Sequence, residues 1–202
     1  MKQLYSLFFA CLLASASWAQ SAEEYIAQGQ KAHNEQNYTQ AVEHFEKAIA
    51  LDKKNAQAQA GLGWALIKTE RYSKALAHLK NAAKIAPTEG TYLYYQAVAL
   101  DSMRRERDVL EVTGKALKMK LDVPDLYEIR AQVFLRKKDY NTAIANLNKT
   151  IELNNKQKTA YLKRAFAKYR VVDSAGACAD WRTALALGAK EAQAMLDAYC
   201  KE

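Results

Sequence analysis

A period of 34 residues runs through this chain without an insertion, and it constrains the fold more than any other feature. Marks set at Ala22, Ala56, Gly90, Pro124 and Lys158 define five equal units. Seven residues past each mark stands a small residue: Gly29, Gly63, Ala97, Ala131 and Ala165. Nineteen past lie Ala41, Ala75, Val109, Ala143 and Ala177, and twenty-six past lie Ala48, Ala82, Ala116, Thr150 and Ala184. Small residues at three fixed phases imply two helices per unit that approach closely in every unit. Such a unit cannot bury its apolar face alone, so neighbours must stack into a solenoid.

The other phases agree. A larger apolar residue falls between the small ones as Phe45, Leu79, Leu147 and Trp181, with Thr113 as the exception. Tyr38, Tyr72 and Tyr140 open the second helix of three units. Apolar residues recur at spacings of three and four, and period-two alternation is absent, so no strands are expected. The two prolines, Pro87 and Pro124, sit at unit junctions where a helix must end or begin. Unit 3 carries Val109, Thr113 and Gly114 and so has the weakest second helix of the array.

This period and pattern resemble the tetratricopeptide repeat, which places Gly or Ala, Ala, an aromatic or Leu, Ala and Pro at these phases. The resemblance covers residues 22–191. Unit 2 matches best, through Gly63, Ala75, Leu79, Ala82 and Pro87. Elsewhere the terminal proline is replaced by Lys53, Leu121, Asn155 and Ala189. The resemblance implies an all-α, right-handed α-solenoid of five helix-turn-helix units, 22–55, 56–89, 90–123, 124–157 and 158–191. A C-terminal capping helix is expected over 192–202. Its Ala192, Met195, Leu196 and Tyr199 share one face and would cover the last unit.

Residues 1–19 read as a secretory signal. Lys2 supplies the positive start, Leu7 to Ala14 the apolar run, and Ser17 and Ala19 the small residues before a cut after Ala19. The run is too short for a permanent span. Cys11 leaves too little apolar sequence before it for a lipoprotein signal. A periplasmic or secreted protein is expected, with no integral membrane span in the mature chain.

Cleavage would leave two cysteines, Cys178 and Cys200. In an oxidising compartment an even pair invites a disulfide. The two lie equidistant from residue 189, so an antiparallel helix pair brings them level. The alternative is two small buried hydrophobes. The segments 176–181 and 198–200 also resemble the last unit and cap of exported bacterial tetratricopeptide-repeat proteins.

No catalytic set, metal site or cofactor motif is found. His33, His44 and His78 are scattered, and neither Cys-x-x-Cys nor His-Glu-x-x-His occurs. The net charge of +8 is uneven, acidic in unit 1 and basic in unit 5. No basic run interleaved with aromatics suggests nucleic acid. A non-enzymatic adaptor for a protein or peptide partner is the leading expectation; a structural component of an envelope or outer-membrane assembly is the alternative.

The resemblance further implies a concave groove lined by the first helices. On this sequence its phases give Trp64, Ile67, Tyr94, Asp101, Gln132, Leu135, Arg136, Phe166, Tyr169 and Arg170 as partner-binding candidates. Exposed aromatics beside Arg are the residue types that carry interface energy. Some of the aromatics would equally fill space between units. The clamp of chaperone-tail-binding members is missing, since Ile26, Gln30 and Gly61 stand at its positions.

Overall fold

The computed structural model describes residues 20–200. The expected signal over 1–19 and the last two residues of the expected cap lie outside the described residues. Within them the chain is all-helical. Unit 1 consists of α1 (Ala22–Asn34) and α2 (Tyr38–Leu51), and unit 2 of α3 (Ala56–Lys68) and α4 (Tyr72–Ile85). Unit 3 has α5 (Thr91–Ser102) and α6 (Glu106–Lys118), and unit 4 has α7 (Pro124–Arg136) and α8 (Tyr140–Leu153). Unit 5 has α9 (Lys158–Arg170) and α10 (Ser174–Ala186), followed by α11 (Ala192–Tyr199). Ala192 falls one period after Lys158, so α11 occupies the slot that the first helix of a sixth unit would take.

The small phases are where the helices meet. Ala41, Ala75, Val109, Ala143 and Ala177 are all fully buried, as are Ala48, Ala82, Ala116, Thr150 and Ala184. The Phe45 ring wedges between units 1 and 2. A methyl group at Gly29 would lie 2.9 Å from that ring, and one at Gly61 would lie closer still. Only glycine lets the two first helices close on it. Consecutive first helices touch in units 1 to 4, whereas second helices of neighbouring units stay farther apart. The array therefore curves toward its first helices, which form the inner face.

Every first helix ends in the same way. Gln36, Glu70, Arg104, Lys138 and Val172 adopt left-handed backbone, with φ between 59 and 67°. The next residue donates its N–H back five positions, as in Asn37 to the Ala32 carbonyl at 2.8 Å and Asp173 to the Lys168 carbonyl at 2.9 Å. This is the Schellman arrangement, whose left-handed position is usually glycine. Here no unit uses one. Asn37, Asp139 and Asp173 then cap the second helices with their side chains, whereas Arg71 and Arg105 in units 2 and 3 provide no side-chain cap.

Unit 3 departs from its neighbours. Thr113, in place of a large apolar residue, is fully buried and donates to the Val109 carbonyl at 2.7 Å. Arg130 of α7 fills the remaining space, its guanidinium donating to Thr113 Oγ1 at 3.0 Å and to Asn146 at 3.3 Å. The α6–α7 junction is the sparsest between consecutive units. In unit 5 the residue equivalent to Arg130 is Arg164, which grips buried Asp180 through two bonds of 2.8 and 2.6 Å.

At the C-terminal end Ala192, Met195 and Leu196 pack against the cluster around Trp181. Tyr199 stays half exposed and lies over Tyr169, ring centroids 4.7 Å apart. A disulfide joins Cys178 of α10 to Cys200, with Cα atoms 5.8 Å apart. Gly188, at φ 88°, makes the turn that brings α11 back along α10.

Candidate functional site

The first helices leave three hollows in succession along the inner face. The first, of about 440 Å³, lies among α1, α3 and α5. Trp64 stacks on Tyr95 with centroids 4.6 Å apart, and His33 tilts against Trp64 at 6.2 Å. Tyr92 and Phe45 complete the apolar lining, and Gln30, Asn34 and Gln57 supply amide groups. The Lys68 ammonium sits 4.8 Å from the Trp64 ring centroid. Burial, and secondarily Lys68, pulls the His33 pKa below its ordinary value and favours the neutral ring. Its Nδ1 is buried without a hydrogen-bond partner. The result is an aromatic recess edged by amides, suited to an apolar side chain on a segment whose backbone needs donors and acceptors.

The middle hollow, about 510 Å³, is polar, and several of its charges are paired across units. Arg136 of α7 bridges back to unit 3, with Nη2 at 2.5 Å from Asp101 and Nε at 2.8 Å from Glu106. Lys163 of α9 pairs with Glu128 at 2.8 Å. Gln157 donates to Glu128 and Asp125. Tyr94 lends its hydroxyl to Asp125 at 3.4 Å. Burial, then the Asp125 charge, pushes the Tyr94 phenol up to about 12. These side chains tie one unit to the next, while Arg104, also in the lining, has no ion pair among the described residues.

The third hollow, about 400 Å³, has an apolar floor of Leu135, Leu162 and Phe166. One helical turn beyond Phe166, Arg170 lies over the Tyr140 ring at 4.9 Å and the Phe166 ring at 5.9 Å.

Among the residues singled out from the sequence, Trp64 lines the first hollow. Tyr94, Asp101, Gln132 and Arg136 line the second. Gln132, Leu135, Arg136 and Phe166 line the third. Arg170 stands at the end of the row. Ile67 is a correction: at 7% exposure it belongs to the N-terminal core with Leu66, Ala99 and Val98. Asp101 and Leu135 at the same phase line hollows, but the packing of unit 3 covers Ile67. Tyr169 lines none of these hollows and packs toward the cap, against Tyr199 and Trp181. Arg136 is only 17% exposed at its side chain and is held by two carboxylates, so it serves as a strut as well as a wall.

Apart from Gly61, weighed only as a position of the missing clamp, sequence reasoning passed over the sixth phase of the first helix. Gly61, Tyr95, Ile129 and Lys163 all stand there, and all line a hollow. They lie one position past the fifth phase, and the same ruler would have found them. Among the described residues no His, Cys, Asp and Glu cluster could hold a metal ion.

Comparison with known proteins agrees with this geometry. Two family models, each described as a tetratricopeptide repeat, match residues 25–99 and 124–157, together more than half of the chain. Superkiller protein 3 of Schizosaccharomyces pombe is 25% identical over 127 residues, which is 59% of this chain but 9% of that protein. This chain thus spans about a tenth of that relative's length. Among solved structures, MamA superposes with a TM-score of 0.71 at 19% identity, covering 85% of this chain and 94% of that one. Pseudomonas aeruginosa PilF gives 0.75 at 20% identity, covering 83% and 76%. YrrB, described as a TPR protein with an unusual peptide-binding site, gives 0.66 at 15% identity, covering 83% and 87%. At these identities the likeness to solved structures is one of fold. With the 34-residue period, the paired helices and the family-model matches in agreement, the chain belongs to the tetratricopeptide-repeat family.

Proposed function

We propose that this protein is a non-catalytic adaptor of the periplasm or of the secreted fraction, holding an extended segment of a partner protein along its inner groove. The observation that carries the reading is the row of three hollows on one face, aromatic, then polar, then apolar. An extended chain advances about 3.3 Å per residue, so a segment crossing several units could seat side chains in both apolar hollows. YrrB, of similar fold, is described as having a peptide-binding site. The Cys178–Cys200 pairing and the apolar run at 7–14 support the export half of the reading, since disulfides persist in oxidising compartments.

The test is site-specific photo-cross-linking in the cells of origin. A photoreactive residue at Gln132, in the groove, should capture a discrete partner, whereas one at Lys80, on the exposed face of α4, should not. Capture from Lys80 with none from Gln132 would move the interface off the groove. Cell fractionation with N-terminal sequencing tests export: a mature chain beginning at Gln20 in the extracytosolic fraction is expected, and an intact Met1 in the cytosol would reject that half.

A further inference from the structure

The first-helix turn of unit 5 differs from the other four in a way the fold does not require. All five turns place one residue in left-handed backbone. In units 1 to 4 it is Gln36, Glu70, Arg104 or Lys138, unbranched and polar. In unit 5 it is Val172, at φ 67°. A β-branched side chain is strained in that region, because its second γ-carbon crowds the backbone. Burial does not compensate, for Val172 is 85% exposed. Val171 beside it is exposed as well, and so is Phe166, at 40%. Strain and solvent-facing apolar surface thus coincide at the C-terminal end of α9, the helix whose Leu162 and Phe166 line the third hollow.

Charge at this end is unbalanced. Lys163 is matched by Glu128 and Arg136 by Asp101 and Glu106, whereas Arg164 and Lys168 share the one carboxylate of Asp180. Arg170 has no ion pair among the described residues. Nearby Asp173 is engaged in capping α10 through the Gly176 N–H at 2.9 Å. The Tyr140 and Phe166 rings lie against the guanidinium, which limits its motion while leaving N–H groups open to a carboxylate.

We propose that Phe166, Arg170 and Val172 form an anchor for an internal partner segment in which an apolar side chain neighbours an Asp or Glu. The apolar side chain sits on Phe166, Val172 and the adjoining hollow, and the side-chain carboxylate meets Arg170. This deepens, and rests on, the reading of the groove as a peptide-binding face. A guanidinium held against two rings beside exposed apolar side chains suits one carboxylate next to an apolar side chain on a peptide.

The experiment uses the purified full chain on an array of immobilised hexapeptides, acetylated and amidated so that side chains carry the only carboxylates. Peptides pairing Leu, Val or Phe with Asp or Glu should be retained about tenfold better than matched Lys or Ser versions, and Arg170→Gln should remove that margin. Val172→Asn, which suits left-handed backbone, should weaken retention while raising the Tm by roughly 2–4 °C. A scaffold residue would not give opposite signs. Retention indifferent to charge or to Arg170→Gln, or a Val172→Asn chain losing Tm and retention together, overturns the anchor. If binding ignores Arg170 but fails in Trp64→Ala, the anchor is wrong and the groove stands; if no peptide is retained, both fall. Dimerisation in sedimentation, or adsorption to phosphatidylglycerol vesicles, abolished by Arg170→Gln would reassign the patch to a second copy or a membrane.

Discussion

At Gly63 a methyl group would lie 2.5 Å from Leu79 Cγ and 3.2 Å from the Ala75 carbonyl, while at Gly114 it would meet nothing within 4 Å. The same substitution should therefore act with opposite sign. Gly63→Ala forces α3 and α4 apart and should cost about 1–3 kcal/mol, whereas Gly114→Ala only removes backbone freedom and should add up to about 1 kcal/mol. Chemical denaturation of the two variants checks the pair. Arg136→Ala should lower stability by about 1–3 kcal/mol in the same assay, because it leaves Asp101 and Glu106 without their partner across units 3 and 4. The histidines add a pH dependence. Burial lowers the pKa of His33 and of His78, the latter despite Glu46 nearby. Below the ordinary value of 6.5 the unfolded chain gains protons that the folded chain resists, so stability falls as pH drops through that range. Tm measured from pH 8 to 5 should decline below about 6.5, and His78→Gln should flatten the decline. An unchanged slope in that variant would remove His78 from the account.

Among the elements, α6 is the exception. Its Arg105 gives no side-chain cap, its core position is Thr113, and Gly114 interrupts its interior. A solenoid's stability is close to a sum over units and their junctions, so a poor helix beside a sparse junction should open first. Hydrogen exchange should show amides of 106–118 protected less than those of α4 and α8, and uniform protection would reject this. The weakness of unit 3 was legible in the sequence as a missing large residue. The repair was not: Arg130 stands 17 positions from Thr113, and only the stacking of α7 on α6 brings its guanidinium to the threonine. The groove was legible to a similar degree. Phase arithmetic reached Trp64, Gln132, Leu135 and Phe166, but it passed over Tyr95 and Lys163 and put Ile67 on the wrong side. A helix face is broad, and neighbouring units decide where its edge lies.

For the whole molecule, the end of the array is the open question that a repeat pattern leaves, since a last unit has an apolar face and no successor. Here α11 takes the sixth slot and the Cys178–Cys200 bond ties it to α10. Closing such a loop contributes about 3 kcal/mol in the chain-entropy model. Reductant should accordingly lower the unfolding midpoint and expose Trp181 first. Thiol labelling of the denatured, unreduced protein should find no free thiol once the leader is removed; two would show that packing alone holds the cap. The sequence by itself determined the helices, their pairing and the stacking, because a 34-residue period of small residues permits close packing in one register and exposes apolar faces in any other. Tertiary structure alone decided which charges are neutralised between units and which remain. Arg136 and Arg170 share a phase and a residue type, yet one is clasped by Asp101 and Glu106 and the other lies open against two rings. That difference depends on what the preceding unit presents across a gap of about 30 residues, which a ruler laid along the chain does not measure.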